Sequence, residues 1–298
     1  MDLRVIARVS FGVMARLRST LPYDPRTDRI AEAGWLGAVG RAAIQWFLDA
    51  DELVHTLSDA LASFWSPGLA ARQTVKRVIV AQIMYTGVQA LSLVSVIAFL
   101  LGGSIVIQAN LMAPTDGELL GKILVAVVLR ELAPLLTAIV VAGRSGTAMA
   151  TELGNMKVNS EVLALSSLGI DPPRYIVLPR LVASVVSVLV LMIYFSVVAI
   201  SGAFVLAQIT ANATWGSLYS GVSRGVMPFD LGLFLLKGVG LGTIVGWLCC
   251  HYGLQVKSSP TEVPQKASRA VVMSLLCGVV YSSFVTALFY WIAGPPMH

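Results

Sequence analysis

Two adjacent charges, Arg130 and Glu131, stand inside an otherwise apolar stretch that runs from Ile123 to Gly143. Ionisable groups at such a depth are costly in a membrane and mark sites of binding, relay or structural pairing. Neighbours on a helix point about 100° apart, so the two are not a same-face ion pair. Glu131 could face a cavity while Arg130 packs against another helix or reaches the interface. Alternatively both could be tethers to backbone carbonyls. Pro134 follows within one turn. It has no N–H to give back, so it kinks or locally opens the same helix. A second polar concentration begins at Ala142-Gly-Arg-Ser-Gly-Thr-Ala148, continues through Thr151-Glu-Leu-Gly-Asn-Met-Lys-Val158, and ends at Leu168-Gly-Ile-Asp-Pro172. Met149, Leu153, Met156 and Leu163 share one helical face, with Thr151, Glu152, Asn155 and Asn159 on others. Gly169 and the Asp171-Pro172-Pro173 break end the pattern. The spacing therefore predicts a short amphipathic helix over 147–168. It is either a docking element that passes on a partner's motion or an ordinary surface connector.

Other chemistry is missing from the sequence. Gly117-Glu-Leu-Leu-Gly-Lys122 has three residues between its glycines, and Ile123 follows where a phosphate loop needs Ser or Thr. There is no serine-hydrolase elbow, no metalloprotease helix and no paired-carboxylate site. Cys249, Cys250 and Cys277 lie in apolar runs, and His55, His251 and His298 are scattered. Neither set has the spacing of a disulfide framework or a zinc site. The chain is expected to be no enzyme and to hold no cofactor. Work on a substrate would draw its energy from a partner or an ion gradient.

The elements that must position these residues follow from composition. The chain is 56% hydrophobic and 12% charged, with three Cys and a formal charge of +5; its mean hydropathy is +0.79. That is about half the charge of a soluble domain, which argues against a cytosolic globule. The long uncharged runs also argue against an alternating barrel. The fold class is all-α: a polytopic helical membrane protein. Uncharged runs of 38 residues (78–115), 43 (181–223), 19 (238–256) and 28 (270–297), together with 119–143, give five spans. These lie at about 82–104, 119–143, 177–200, 231–252 and 270–292, each near the ~20 residues that cross the hydrocarbon. Gly102-Gly103 and Thr210–Gly216 read as loops. Seventeen of the 21 Lys and Arg fall on the N-terminal side of this topology, and only Arg224 lies on the other side outside a span. The bias predicts a cytoplasmic N-terminus and a periplasmic C-terminus. Residues 1–42 form a basic extension of unassigned role. Residues 43–81 read as an amphipathic region, lying on the membrane surface or packed on the protein itself. Gly238, Gly240, Gly242 and Gly246 make a small-residue stripe suited to close helix packing. Gln108 near the outer end of the first span could meet a lipid headgroup.

Taken together, Arg130-Glu-Leu-Ala-Pro134, the Ala142–Ala148 and Thr151–Val158 segments, Leu168–Pro172, His251-Tyr-Gly-Leu254 and Ala267-Ser-Arg-Ala-Val-Val272 closely resemble the MlaE (YrbE) permease family. Its members are membrane subunits of ABC lipid transporters associated with MCE proteins. The resemblance covers about residues 72–292. It implies a permease homodimer, two cytoplasmic ATPase subunits that carry the ATP and Mg, and a periplasmic MCE-domain protein. It also implies phospholipid as cargo, location in the bacterial inner membrane, and an interfacial N-terminal helix before five spans. The 147–168 helix would be the coupling helix, with Glu152, Met156, Lys157, Glu161 and Leu165 contacting or transmitting to the ATPase. Glu131 would lie near the lipid pocket, with Gln108 a further lipid contact. Arg130, Pro134 and Arg144 would be structural. The chain departs from the family pattern at Asn159-Ser160-Glu161, where the family has TEQ, at Ala133 in place of Gly, and at the stiffer Ser259–Gln265 loop.

Two rivals stay open on the residues themselves. A non-transporting scaffold would use the 147–168 helix only to recruit a partner. An ion-coupled carrier would want several buried charges and an internal repeat, and no repeat is visible.

Overall fold

The computed structural model describes residues 79–112, 117–169, 173–210, 215–257 and 259–293. The extension 1–42 and nearly all of the amphipathic stretch 43–81 lie outside the described residues. Every described element is helical, and five helices are long and apolar enough to cross a membrane. We label them in chain order: α1 (Ile79–Leu111), α2 (Gly117–Val158), the short α3 (Glu161–Ser167), α4 (Tyr175–Ile209), the short α5 (Trp215–Gly225), α6 (Pro228–Leu254) and α7 (Glu262–Ala293).

The expected number of spans is present, but the helices outrun the expected boundaries. Gly102 and Gly103 do not form a loop. They are buried in mid-helix, and α1 continues to its end at Leu111. These glycines let α1 and α4 touch backbone to backbone. A Cβ on Gly202 of α4 would sit 2.5 Å from the Phe99 carbonyl oxygen, and one on Gly102 would collide with the Ala199 carbonyl. In a membrane such close approach replaces the hydrophobic drive that lipid removes. The glycine stripe of α6 does the same work within the chain. Gly238, Gly242 and Gly246 abut Leu189, Val185 and Ser184 of α4, while Gly240 abuts Tyr281 of α7.

At 42 residues, α2 is about 63 Å long, roughly twice the hydrocarbon thickness. Its first turns, Gly117–Leu124, pack on α5, where Gly121 and Gly221 cross with no room for a side chain. This is the segment that looks like a phosphate loop in the sequence, and here its glycines serve as a crossing point. Two π-helical stretches interrupt α2, at Val125–Leu132 and Ala142–Gly146. The last turns of α2, Thr147–Val158, bury Met149, Ala150 and Leu153 against α6 and α7.

The amphipathic helix expected over 147–168 is therefore two elements. Thr147–Val158 completes α2, and α3 follows a break at Asn159-Ser160, where Ser160 takes the left-handed conformation at φ 59°. Gly169, at φ 75°, ends α3 as its position in the sequence predicts. On α4, α6 and α7 many apolar side chains point out of the bundle, among them Ile193, Leu236, Val280 and Phe284, as a lipid surround requires.

Candidate functional site

Four charges from two helices meet in the interior, near the end of the bundle where α6 begins. The start of α6 is set by Pro228 in its first turn and by Asp230, whose Oδ2 accepts the Met227 N–H at 2.9 Å. An acidic residue at the third helical position caps the free N–H groups of the first turn. The same carboxylate, 1% exposed, meets the Arg130 guanidinium of α2 at two points, Nε to Oδ1 at 2.9 Å and Nη2 to Oδ2 at 3.1 Å. Only the Nη2–Oδ2 contact is a hydrogen bond; Nε and Oδ1 are buried and face each other as an ion pair without hydrogen-bond geometry.

Lys237 lies two turns further along the same face of α6 and is wholly buried. Its Nζ is 3.1 Å from Glu131 Oε1 and donates to the Arg130 carbonyl at 2.6 Å. That carbonyl is four residues before Pro134, which has no N–H to offer it. The lysine thus gives that carbonyl a side-chain donor. Glu131 Oε1 also accepts a hydrogen bond from Thr286 Oγ1 of α7 at 2.9 Å. Glu131 itself is 37% exposed, so one carboxylate of the set faces outward while its partner ammonium does not.

One helical turn on from Glu131 and from Lys237, and two turns back from Thr286, the lining becomes apolar. Leu135 and Ile139 of α2, Leu241 and Val245 of α6, and Leu275 and Val279 of α7 border a shallow groove. The spacings 131–135–139 and 237–241–245 place groove and charges on continuous faces. The arrangement offers an open carboxylate beside a strip of hydrocarbon. A carboxylate next to hydrocarbon can meet the polar end and the apolar body of one molecule.

The remaining candidate residues lie elsewhere. Gln108 is exposed on α1, whose main packing partners are α4 and the first turns of α2. Arg144, in the second π-helical stretch, ties α2 to α1: it donates to the Gln89 carbonyl, and to Gln89 Oε1 at 3.0 Å. Glu152 is exposed but pairs at 2.9 Å with Arg180, a buried guanidinium near the start of α4. Met156 and Leu165 are half-buried against Leu153, Ile176, Val177 and Cys250. They hold α2, α3 and α4 together. Lys157 and Glu161 are exposed, and Asn159 Nδ2 lies 3.3 Å from Glu161 Oε1. On α3 the outward apolar residue is Leu163, at 67% exposure, with Leu168 just beyond.

Asp230, Lys237 and Thr286 did not emerge as site residues from the sequence. A signal existed for the first two: Pro228 followed by Asp230 is a helix-start signature, and Lys237 is seven residues on, hence on the same face. Thr286 gave none.

A family model described as Permease MlaE matches residues 79–288. The chain is 28% identical over 218 residues to the intermembrane phospholipid transport system permease protein MlaE of Haemophilus influenzae, covering 71% of this chain and 82% of that protein. It is 24% identical over 214 residues to a probable ABC transporter permease protein of Rickettsia prowazekii, covering 71% and 83%. It is also 31% identical over 172 residues to the chloroplastic protein TRIGALACTOSYLDIACYLGLYCEROL 1 of Arabidopsis thaliana. That match covers 58% of this chain and about half, 49%, of the Arabidopsis protein.

Proposed function

Since this chain belongs to the MlaE permease family, we propose that it is the transmembrane subunit of an ABC transporter moving phospholipid or a related lipid between the inner and outer membranes of a bacterium. The observation that supports the cargo is the apolar groove between α2, α6 and α7, which begins one turn along α2 from the half-exposed Glu131. Acyl chains lie along the apolar strip, and the headgroup meets Glu131 and Thr286. Gln108 contacts lipid separately, near the end of α1.

In this reading two copies of the chain pair. Two cytoplasmic ATPase subunits bind ATP and Mg, and a periplasmic MCE-domain protein guides the lipid between the two membranes. The basic bias of the sequence puts the N-terminus in the cytoplasm and the C-terminus in the periplasm. Lys157, Glu161 and the exposed Leu163 meet the ATPase. Glu152, Met156 and Leu165 act one step back, keeping α3 fixed to the ends of α2 and α4. When the ATPase pair closes on ATP, α3 moves with it. Because α2 is continuous from that end to Glu131, the displacement arrives at the groove and narrows it, expelling the lipid.

The test is Glu131→Gln, whose amide oxygen keeps an acceptor for the buried Lys237 ammonium, reconstituted with its ATPase and a fluorescent phospholipid in vesicles. The variant is expected to assemble normally and to lose lipid transfer roughly tenfold, the equivalent of one charge-assisted hydrogen bond. Wild-type transfer by an assembled variant sinks the role of Glu131. A wild-type complex whose ATPase ignores lipid and moves none favours the scaffold reading.

A further inference from the structure

At the opposite end of α6 the chain turns into α7 around a half-open cavity of roughly 380 Å³, a size that suits a small ligand or a headgroup. Its lining is polar: Gln255, Lys257, Glu262, Gln265, Lys266 and Arg269. Three cations face one acid. Glu262 is already engaged, accepting the Lys257 backbone N–H at 3.1 Å. Lys266 Nζ donates to Gln255 Oε1 at 3.0 Å, and the other end of that amide lies 2.8 Å from Nε2 of the buried His251. The wall is thus held in place from beneath. The Lys257 ammonium and the Arg269 guanidinium have no hydrogen bond or ion pair among the described residues. Two cations without a partner among the described residues and a third shared with an amide therefore line one open volume.

We infer that this cavity is a binding site for a phosphate group, distinct from the lipid groove. A guanidinium offers paired N–H donors that match two phosphate oxygens, and an ammonium adds a compact positive charge. The level in the membrane favours a lipid headgroup as the source. Arg269 is the last charge before the uncharged run 270–297, so it stands where the hydrocarbon begins. Basic pockets between membrane helices at this depth hold anionic headgroups. Seventeen residues of α7 separate Arg269 from Thr286, about 25 Å along the helix axis, so one lipid headgroup cannot serve both places. The cavity also adjoins the end of α2. Val256 and Val263, next to its lining residues, pack on Gly154. A bound phosphate would brace the α6–α7 turn against the segment that leads into α3. The inference is independent of the transport reading and survives its failure.

The full chain in detergent is exposed to equal amounts of phosphatidylglycerol and phosphatidylcholine, and retained lipid is counted by native mass spectrometry. Wild type is expected to keep phosphatidylglycerol preferentially. The double substitution Lys257→Gln with Arg269→Gln should weaken retention about 30-fold, at about fivefold per cation. The charge-keeping pair Lys257→Arg with Arg269→Lys should restore most of it, which separates lost charge from lost fold. A parallel arm titrates inorganic phosphate. If millimolar phosphate raises the melting temperature of wild type but not of the glutamine pair, and neither lipid is preferred, the site is upheld with soluble phosphate as its source. Equal retention of phosphatidylglycerol by wild type and the glutamine pair, without any phosphate response, overturns the proposal. So does a glutamine pair that keeps its lipid and loses only a co-purifying ATPase, which would assign the cavity to protein docking.

Discussion

Replacing Lys237 by Met removes a wholly buried ammonium while keeping most of its volume. Two groups lose a partner: the Glu131 carboxylate at 3.1 Å and the Arg130 carbonyl at 2.6 Å. Breaking a buried ion pair from one side costs about 3–5 kcal/mol. Glu131 is 37% exposed and keeps Thr286, so its share falls to roughly 1–2 kcal/mol. The carbonyl has no N–H from Pro134 to fall back on and adds about 1–2 kcal/mol. The expected destabilisation is therefore about 2–4 kcal/mol. Pro134→Ala provides the check. An alanine at 134 restores the N–H that can take the Arg130 carbonyl, so in that background Lys237→Met should cost about 1–2 kcal/mol less. The quantity to read is the coupling energy of the four-variant cycle, from reversible unfolding of the full chain in mixed micelles. A coupling indistinguishable from zero refutes the idea that lysine and proline are two halves of one arrangement. A cost for Lys237→Met below about 0.5 kcal/mol would show that neither contact holds the fold.

Two further substitutions bear on other parts of the molecule. Gly202→Leu should separate α1 from α4, because even a Cβ would lie 2.5 Å from the Phe99 carbonyl oxygen; overpacking of this kind costs about 1–3 kcal/mol or more, and a monodisperse, wild-type-like elution profile would contradict it. Leu163→Glu changes an exposed residue of α3, so thermal stability should hold within about 0.5 kcal/mol, while lipid-stimulated ATPase activity of the assembled complex falls at least about tenfold; unaltered stimulation would remove α3 from the ATPase interface.

The membrane class and the five spans were legible because an uncharged run of about 20 residues has few other physical meanings. Boundaries were less so. Hydropathy registers the hydrocarbon, whereas α1 and α2 run beyond it, and a glycine pair in mid-helix reads as a turn until its packing partner is known. Gly102 means close approach only once Ala199 lies opposite. The pairing of the charges was hidden for the same reason. Arg130 and Glu131 announced themselves by depth, but their partners are about a hundred positions away, and no local period links 130 to 230 or 131 to 237. Asp230 lies one residue outside the expected span 231–252, so depth gave it no mark. The 147–168 helix was half right: Met149, Leu153 and Met156 do pack inward, yet Leu163 turns outward beyond the left-handed Ser160, a break that cannot be read from a serine.

The charges of the central cluster have a consequence for how the protein meets the membrane potential. Arg130, Glu131, Asp230 and Lys237 sum to zero, and each positive group is matched to a negative one within 3.1 Å. A single charge carried across the bilayer exchanges about 2.3 kcal/mol with every 100 mV of voltage. A set that shifts as one neutral unit exchanges almost none. Because α2 contributes one charge of each sign to the cluster and α6 does likewise, sliding α2 against α6 carries no net charge of this cluster across the field.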